Sequence, residues 1–295
     1  MSRRTVLSLL ATFLVVSMLS AHPGSGIVVD RQGQVYFADT GHGVWKIDTN
    51  GRLTSMGGPR FHWMTRDTEG RFAKTALPTF RDAELTKLGA NPLLMLSSDF
   101  PLIIAPDGAL YYPELGRDQR VQIIRFTSSG ARSVLATLPA KTESGTLQWL
   151  NGIAAGTDGS IYYTEDRAVR KVSPQGVIST VASQIVVPGC VRVPSYSDDR
   201  LGPQLRGLDV RPDGTVFVAA TGCGALLKIT PRGEVTPVLR TTSPWSPTAV
   251  AVAGNDLYVL EYLHTANEDR SAWLPRVRKV SADGTSSIIA TVERR

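Results

Sequence analysis

The sequence predicts an all-β protein, a six-bladed β-propeller of four-stranded antiparallel blades. Three observations lead there. A strand–turn–strand unit built around a tight turn such as D-G or N-D recurs six times, and short β-branched and aromatic runs flanking such turns are hairpin signals. A second unit, ending in glycine and followed by a short apolar strand, alternates with the first. Turns inside these hairpins barely change in length, whereas the connections between hairpins vary widely. Units that cannot bury their faces alone close as a radial ring, which leaves only short, protected edges.

In chain order, "MSRRTVLSLLATFLVVSMLSA" comes first, over residues 1–21. Arg3 and Arg4 form a positive n-region, Thr5 to Leu19 an apolar run, and Ser20 and Ala21 a small-residue end, the layout of an export signal. The run falls short of the roughly 20 apolar residues of a membrane span. The mature chain, 22–295, is therefore expected in the periplasm or outside the cell, with no stable span. Losing Arg3 and Arg4 lowers the net charge from +6 by two, and no lysine–arginine run or basic stripe remains to suggest nucleic acid.

The first units are Gly26–Asp39, Trp63–Ala76, Pro101–Glu114, Gly152–Glu165, Gly207–Ala220 and Thr248–Glu261. The second units are "WKIDTNG", "AELTKLG", "IRFTSSG", "RKVSPQG", "LKITPRG" and "RKVSADG", which end at Gly51, Gly89, Gly130, Gly176, Gly233 and Gly284. Together they define blades over 22–58, 59–98, 99–137, 150–184, 205–240 and 246–293. Each blade reads as a meander of strands A to D with A innermost. The A–B and C–D turns then share one plain face, and the B–C and D–A connections share the other.

That second face carries the insertions "LPAKTESGTLQ", "VPGCVRVPSYSDDRLGPQ" and "YLHTANEDRSAWLP". Long loops on a rigid scaffold are where function concentrates. Cys190 and Cys223, the only cysteines, both belong to this face. In an exported chain such a pair reads first as one disulfide, with two free thiols as the alternative, and no metal-type cysteine spacing is present. The residue preceding each strand A should line the mouth of the central channel: Ser25, His62, Phe100, Asn151, Arg206 and Pro247. This slot differs in every blade, as a binding surface would. At the end of strand B a carboxylate recurs instead, as Asp39, Glu114, Glu165 and Glu261, which suggests an architectural role accepting backbone N–H bonds.

Three rim residues carry candidate chemistry. His62 can move a proton or ligate a metal, or can simply pack beside Trp63. Asn151 offers an oxygen to a hard cation and two donors to a substrate, or a local turn contact. Arg206 presents a fork for a carboxylate or phosphate, or an ion pair with an acid such as Glu165.

The units resemble NHL repeats, and "NGIAAGTDGSIYYTED" in blade four resembles the gluconolactonase and senescence-marker-protein family. The resemblance implies lactone hydrolysis with a divalent cation, calcium or zinc, held by Glu, Asn and Asp at the channel mouth. The family asparagine falls on Asn151. The family aspartate falls on Arg206, the glutamate around Ser25, and a substrate-side asparagine near Asp99. With two of three metal ligands replaced, one by a cation, the expected function is a binding module. Its loop-rich face, with Ser25, His62, Asp99, Asn151, Arg206 and Trp273, would take an anionic small molecule, glycan or protein. The alternative is a metal-dependent lactonase, hydrolase or lyase, with His62 or Glu165 as base and Asn151 as metal or substrate ligand.

Overall fold

A computed structural model describes residues 24–81, 83–140, 150–193, 202–264 and 273–293. Residues 1–23, where the sequence predicts an export signal, and parts of the three insertions lie outside these residues. Blade one holds β1 (Ile27–Val29), β2 (Val35–Asp39), β3 (Gly43–Ile47) and β4 (Leu53–Gly57). Blade two holds β5 (Trp63–Asp67), β6 (Leu85–Leu88) and β7 (Leu93–Ser97). Blade three holds β8 (Ile103–Ile104), β9 (Leu110–Leu115), β10 (Val121–Phe126) and β11 (Arg132–Thr137). Blade four holds β12 (Gly152–Ala155), β13 (Ile161–Thr164), β14 (Val169–Val172) and β15 (Ile178–Ala182). Blade five holds β16 (Leu205–Val210), β17 (Val216–Ala220), β18 (Ala225–Ile229) and β19 (Val235–Arg240). Blade six holds β20 (Trp245–Ala253), β21 (Asp256–Leu263), β22 (Pro275–Val280) and β23 (Ser286–Thr291). All pairings are antiparallel, and β1, β5, β8, β12, β16 and β20 stand side by side as a closed inner ring.

Five blades are simple meanders, and blade two departs from the expected order. Its strands lie β5–β7–β6, so the strand expected at the outer edge is the middle one. The residues explain the exchange. Leu93–Ser97 is buried throughout and suits a position with neighbours on both sides, whereas Leu85–Leu88 is half-buried throughout and suits an edge. The expected strand B, within Trp63–Ala76, is a turn. Asp67 accepts the Glu69 and Phe72 N–H groups, and Lys87 Nζ donates to the carbonyls of Phe72, Ala73 and Thr75 at 2.8–3.1 Å. Phe72, fully buried, pins that turn against Phe126. The connection from Asp67 to Leu85 therefore starts on the face expected to be plain and climbs to the other.

The core is a series of clusters between neighbouring blades. One, between blades six and one, joins Ile27, Val29 and Phe37 to Leu260, Tyr262 and Val277. No strand is exchanged at this seam. Instead Tyr262 Oη donates to the Ala38 carbonyl and Thr248 Oγ1 to the Gly24 carbonyl, both at 2.7 Å. Similar stitches join blade four to five (Thr164 Oγ1 to Arg206 O, 2.9 Å), five to six (Thr221 Oγ1 to Pro247 O, 2.8 Å) and two to three (Ile104 N to Thr65 Oγ1, 3.1 Å). Each buried hydroxyl satisfies a carbonyl or amide that would otherwise be costly to bury.

Candidate functional site at the loop-rich end

The inner ring narrows where its strands begin. A Cβ on Gly152 would lie 2.4 Å from the Arg206 carbonyl oxygen, and one on Gly207 2.6 Å from the Ala249 side chain. A Cβ on Gly26 would meet the Met64 amide at 2.7 Å. Only glycine allows the strands to converge so closely. The residue before each of these glycines, Ser25, Asn151 or Arg206, is thereby carried to the rim.

Arg206 and Ser25 meet there. Arg206 Nε donates to Ser25 Oγ at 3.3 Å, a contact that reaches from blade five past blade six to blade one. Both are buried, as is His264, which is 1% exposed. Burial, with the Arg206 charge added, lowers the His264 pKa to about 3, so the imidazole is neutral at ordinary pH. Trp273 lies beside it, with ring centroids 6.0 Å apart. Sequence reasoning passed over His264, although it stands in the blade-six insertion.

The other rim residues have evident contacts. His62 carries its backbone carbonyl to the Ser25 N–H at 2.7 Å, and its Nδ1 donates to the Ser98 carbonyl. Asn151 Nδ2 donates to Asp166 Oδ1 at 2.9 Å, holding the amide against its own blade. Asp99 is exposed on the rim, with Ser98 Oγ 3.5 Å from its carboxylate. Glu165 pairs with Arg170 at 3.4 Å. Of the strand-B carboxylates, Asp39 accepts a loop N–H, from Gly41, as expected. The others use arginines of their own sheets: Glu114 with Arg132, Glu165 with Arg170, and Glu261 with Arg276 and Arg278 at 2.5 and 2.6 Å. Glu261 is fully buried, and its two guanidiniums compensate for the desolvation. These carboxylates are architectural, but mostly through ion pairs along the sheet.

The rim does not fit the divalent cation that the resemblance implies. Asn151 is held by Asp166, Ser25 is bonded to Arg206, and a buried guanidinium at this point repels a divalent cation by several kcal/mol. No group of three or more His, Cys, Asp or Glu able to hold a metal occurs among the described residues.

The disulfide is present. Cys190 and Cys223 are bonded with Cα atoms 4.9 Å apart, tying the connection before blade five to the short 3-10 turn Thr221–Cys223 after β17. No helix among the described residues is long and apolar enough to cross a membrane.

Below the rim, a cavity of about 410 Å³ follows the axis from Ser25 to the turns of blades one to three. Its lining includes Ser25 but not His62, Asn151 or Arg206. Arg31, Glu69 and Arg71 stand at its far end.

These features define a six-bladed β-propeller with a guarded, arginine-centred rim. No protein-family model matches the chain, and no curated protein matches it in sequence. Solved structures share the fold. A catalytically inactive virginiamycin B lyase from Staphylococcus aureus, with quinupristin, is 17% identical, with a TM-score of 0.52, over 90% of this chain and 83% of that one. A luciferin-regenerating enzyme is 14% identical, with a TM-score of 0.52, over 86% and 91%. The calcium-binding protein regucalcin from Agrobacterium tumefaciens is 14% identical, with a TM-score of 0.51, over 80% and 81%. At such identities the likeness is one of fold.

Proposed function

We propose that the protein is an exported binding module that recognises an anionic group, on a small molecule, glycan or protein, at its loop-rich face. One observation carries the reading: Arg206 is buried at the start of β16, with its Nε on the Ser25 hydroxyl of blade one and a neutral imidazole within its electrostatic reach. A guanidinium in a water-poor setting binds carboxylate or phosphate more strongly than an exposed one does. The disulfide beside it is compatible with an oxidising compartment. Thermal denaturation with a panel of sugar acids, dicarboxylates and phosphosugars tests this. A ligand at about 100 times its Kd stabilises the fold by ~2.7 kcal/mol. Arg206→Gln should abolish that gain and leave a cooperative transition; an equal gain in the variant would refute the reading. Calcium, zinc and magnesium should leave the melting curve unmoved.

A second reading, hydrolysis or elimination on a cyclic ester, draws on His62. Donation from its Nδ1 to the Ser98 carbonyl makes Nε2 the proton acceptor, as a general base requires. The solved propellers that share the fold include enzymes. Turnover of a lactone panel that disappears in His62→Gln would favour this reading over the first.

A further inference from the structure

The second charged site lies at the opposite end of the channel. Arg66, on β5, projects into the cavity, and its Nη1 is buried with no hydrogen-bond partner among the described residues. The nearby carboxylates are committed elsewhere. Asp209 accepts the Val210 and Val252 N–H groups at 2.8 and 2.7 Å. Asp30 accepts the Gln32 and Gln34 N–H groups on one oxygen, and Gln34 Nε2 and Tyr36 Oη on the other. Asp67 holds the blade-two turn, and Glu69 pairs with Arg71 at 2.6 Å. A buried donor of this kind is costly unless an acceptor reaches it.

The surroundings say what kind of acceptor. Val28, Ile104, Ala155 and Val252 line the cavity and are each only partly buried, so apolar side chains remain open to a guest among the polar groups of its wall. The volume falls within the range of small-molecule sites, in which placed polar groups fix the orientation of a guest. Arg31 adds a second cation at the opening. The opening is also where the turn face breaks its own pattern: the irregular connection of blade two brings Thr68, Glu69 and Arg71 to the edge, with Arg71 laid over Gly108 of blade three.

We propose that the turn end of the channel is a second binding site, for a small molecule with an apolar body and a single carboxylate, anchored by Arg66. The carboxylate meets the guanidinium, and the body extends along the axis toward Ser25. The site is separate from the rim around Arg206, and its test is independent of the function proposed there.

The probe is octanoate, titrated into the mature chain and followed by calorimetry and by methyl NMR. Octanoate should shift the methyl signals of Val28, Ile104 and Val252. Its methyl ester should bind at least tenfold more weakly, and Arg66→Gln should weaken octanoate by a similar factor. Ala155→Leu, which narrows the lumen without touching the guanidinium, should weaken both acid and ester. Equal binding of acid and ester, or wild-type octanoate affinity in Arg66→Gln, would overturn the proposal. So would methyl shifts confined to the loop-rich rim around Ser25, which would assign octanoate to the rim.

Discussion

The two ends of the channel each hold an arginine, and they treat it in opposite ways. At the loop-rich end Arg206 is engaged by Ser25, flanked by neutral His264, and enclosed where glycines let the inner strands converge. At the turn end Arg66 faces a cavity, surrounded by carboxylates that already serve other donors. The difference follows from strand geometry. Gly152 at the start of β12 and Gly207 near the start of β16 meet the inner strand of the next blade, whereas Gly156, just past the end of β12, meets only Asp158 and Tyr162 of its own blade, so the ring is tight at one end and open at the other. In this fold the end with elaborate loops need not be the end with the accessible cavity.

The largest effect expected from breaking this contrast comes from the disulfide. It closes 33 residues of chain, worth about 4 kcal/mol in the chain-entropy account. Replacing Cys190 and Cys223 together by serine should lower the stability measured in guanidinium by about that amount. It should weaken anion binding at Arg206 while octanoate affinity stays at the wild-type value. Loss of both together would show that the two ends are one site.

Next in size is a pH effect at the open end. Burial raises the Asp209 pKa to about 6, against the backbone N–H bonds and the Arg66 charge that lower it. The unfolded value is about 3.9. A carboxyl raised on folding stabilises the native state below its unfolded pKa, and that contribution is lost as pH rises through the folded one. Asp209 should therefore withdraw about 3 kcal/mol between pH 4 and pH 6. Subtracting the stability–pH profile of Asp209→Asn from that of the wild type isolates this slope. A flat difference would mean that Asp209 ionises as it does in water.

How much of this was legible in the sequence follows the same division. The six repeats, the all-β class and the cysteine pair could be read because each rests on local chemistry: turn residues, alternating apolar positions, and two thiols. Blade two could not, because "GRFAKTA" has strand-like spacing. What makes it a turn is Asp67 and Lys87, which meet its backbone only in three dimensions. Closure of the ring was opaque for a similar reason, since Thr248 and Tyr262 bond to carbonyls 224 residues away. Ser25, Asn151 and Arg206 could be placed on one rim by counting along strand A. Their partners could not, and Asp209 and Arg66 resembled ordinary charged positions on strands.

The tight end can be tested directly at Gly152. A methyl group there would press on the Arg206 carbonyl and lie 3.0 Å from Thr164 Oγ1, so blades four and five must separate to admit it. Overpacking of this kind costs roughly 1–3 kcal/mol. Gly152→Ala should lose about that much stability and also weaken anion binding at Arg206, whose backbone it displaces. Were the melting curve unchanged, the convergence of the strands would not be what positions the rim.

The smallest effect is expected at the stitch beside it. Thr164→Val keeps the shape of the side chain but sets a methyl group against the Arg206 carbonyl, leaving a buried acceptor without its hydroxyl donor. Such a loss costs ~1 kcal/mol. The variant becomes informative in combination with Gly152→Ala, because both act on the same carbonyl oxygen and residues that share a partner do not add. Once the alanine has forced the blades apart, the hydrogen bond is already lost, and adding Thr164→Val should cost little more than Gly152→Ala alone. Strict additivity in guanidinium denaturation would place the two effects at separate contacts. The rim would then be held by the blades individually, and Arg206 would owe its position to Ser25.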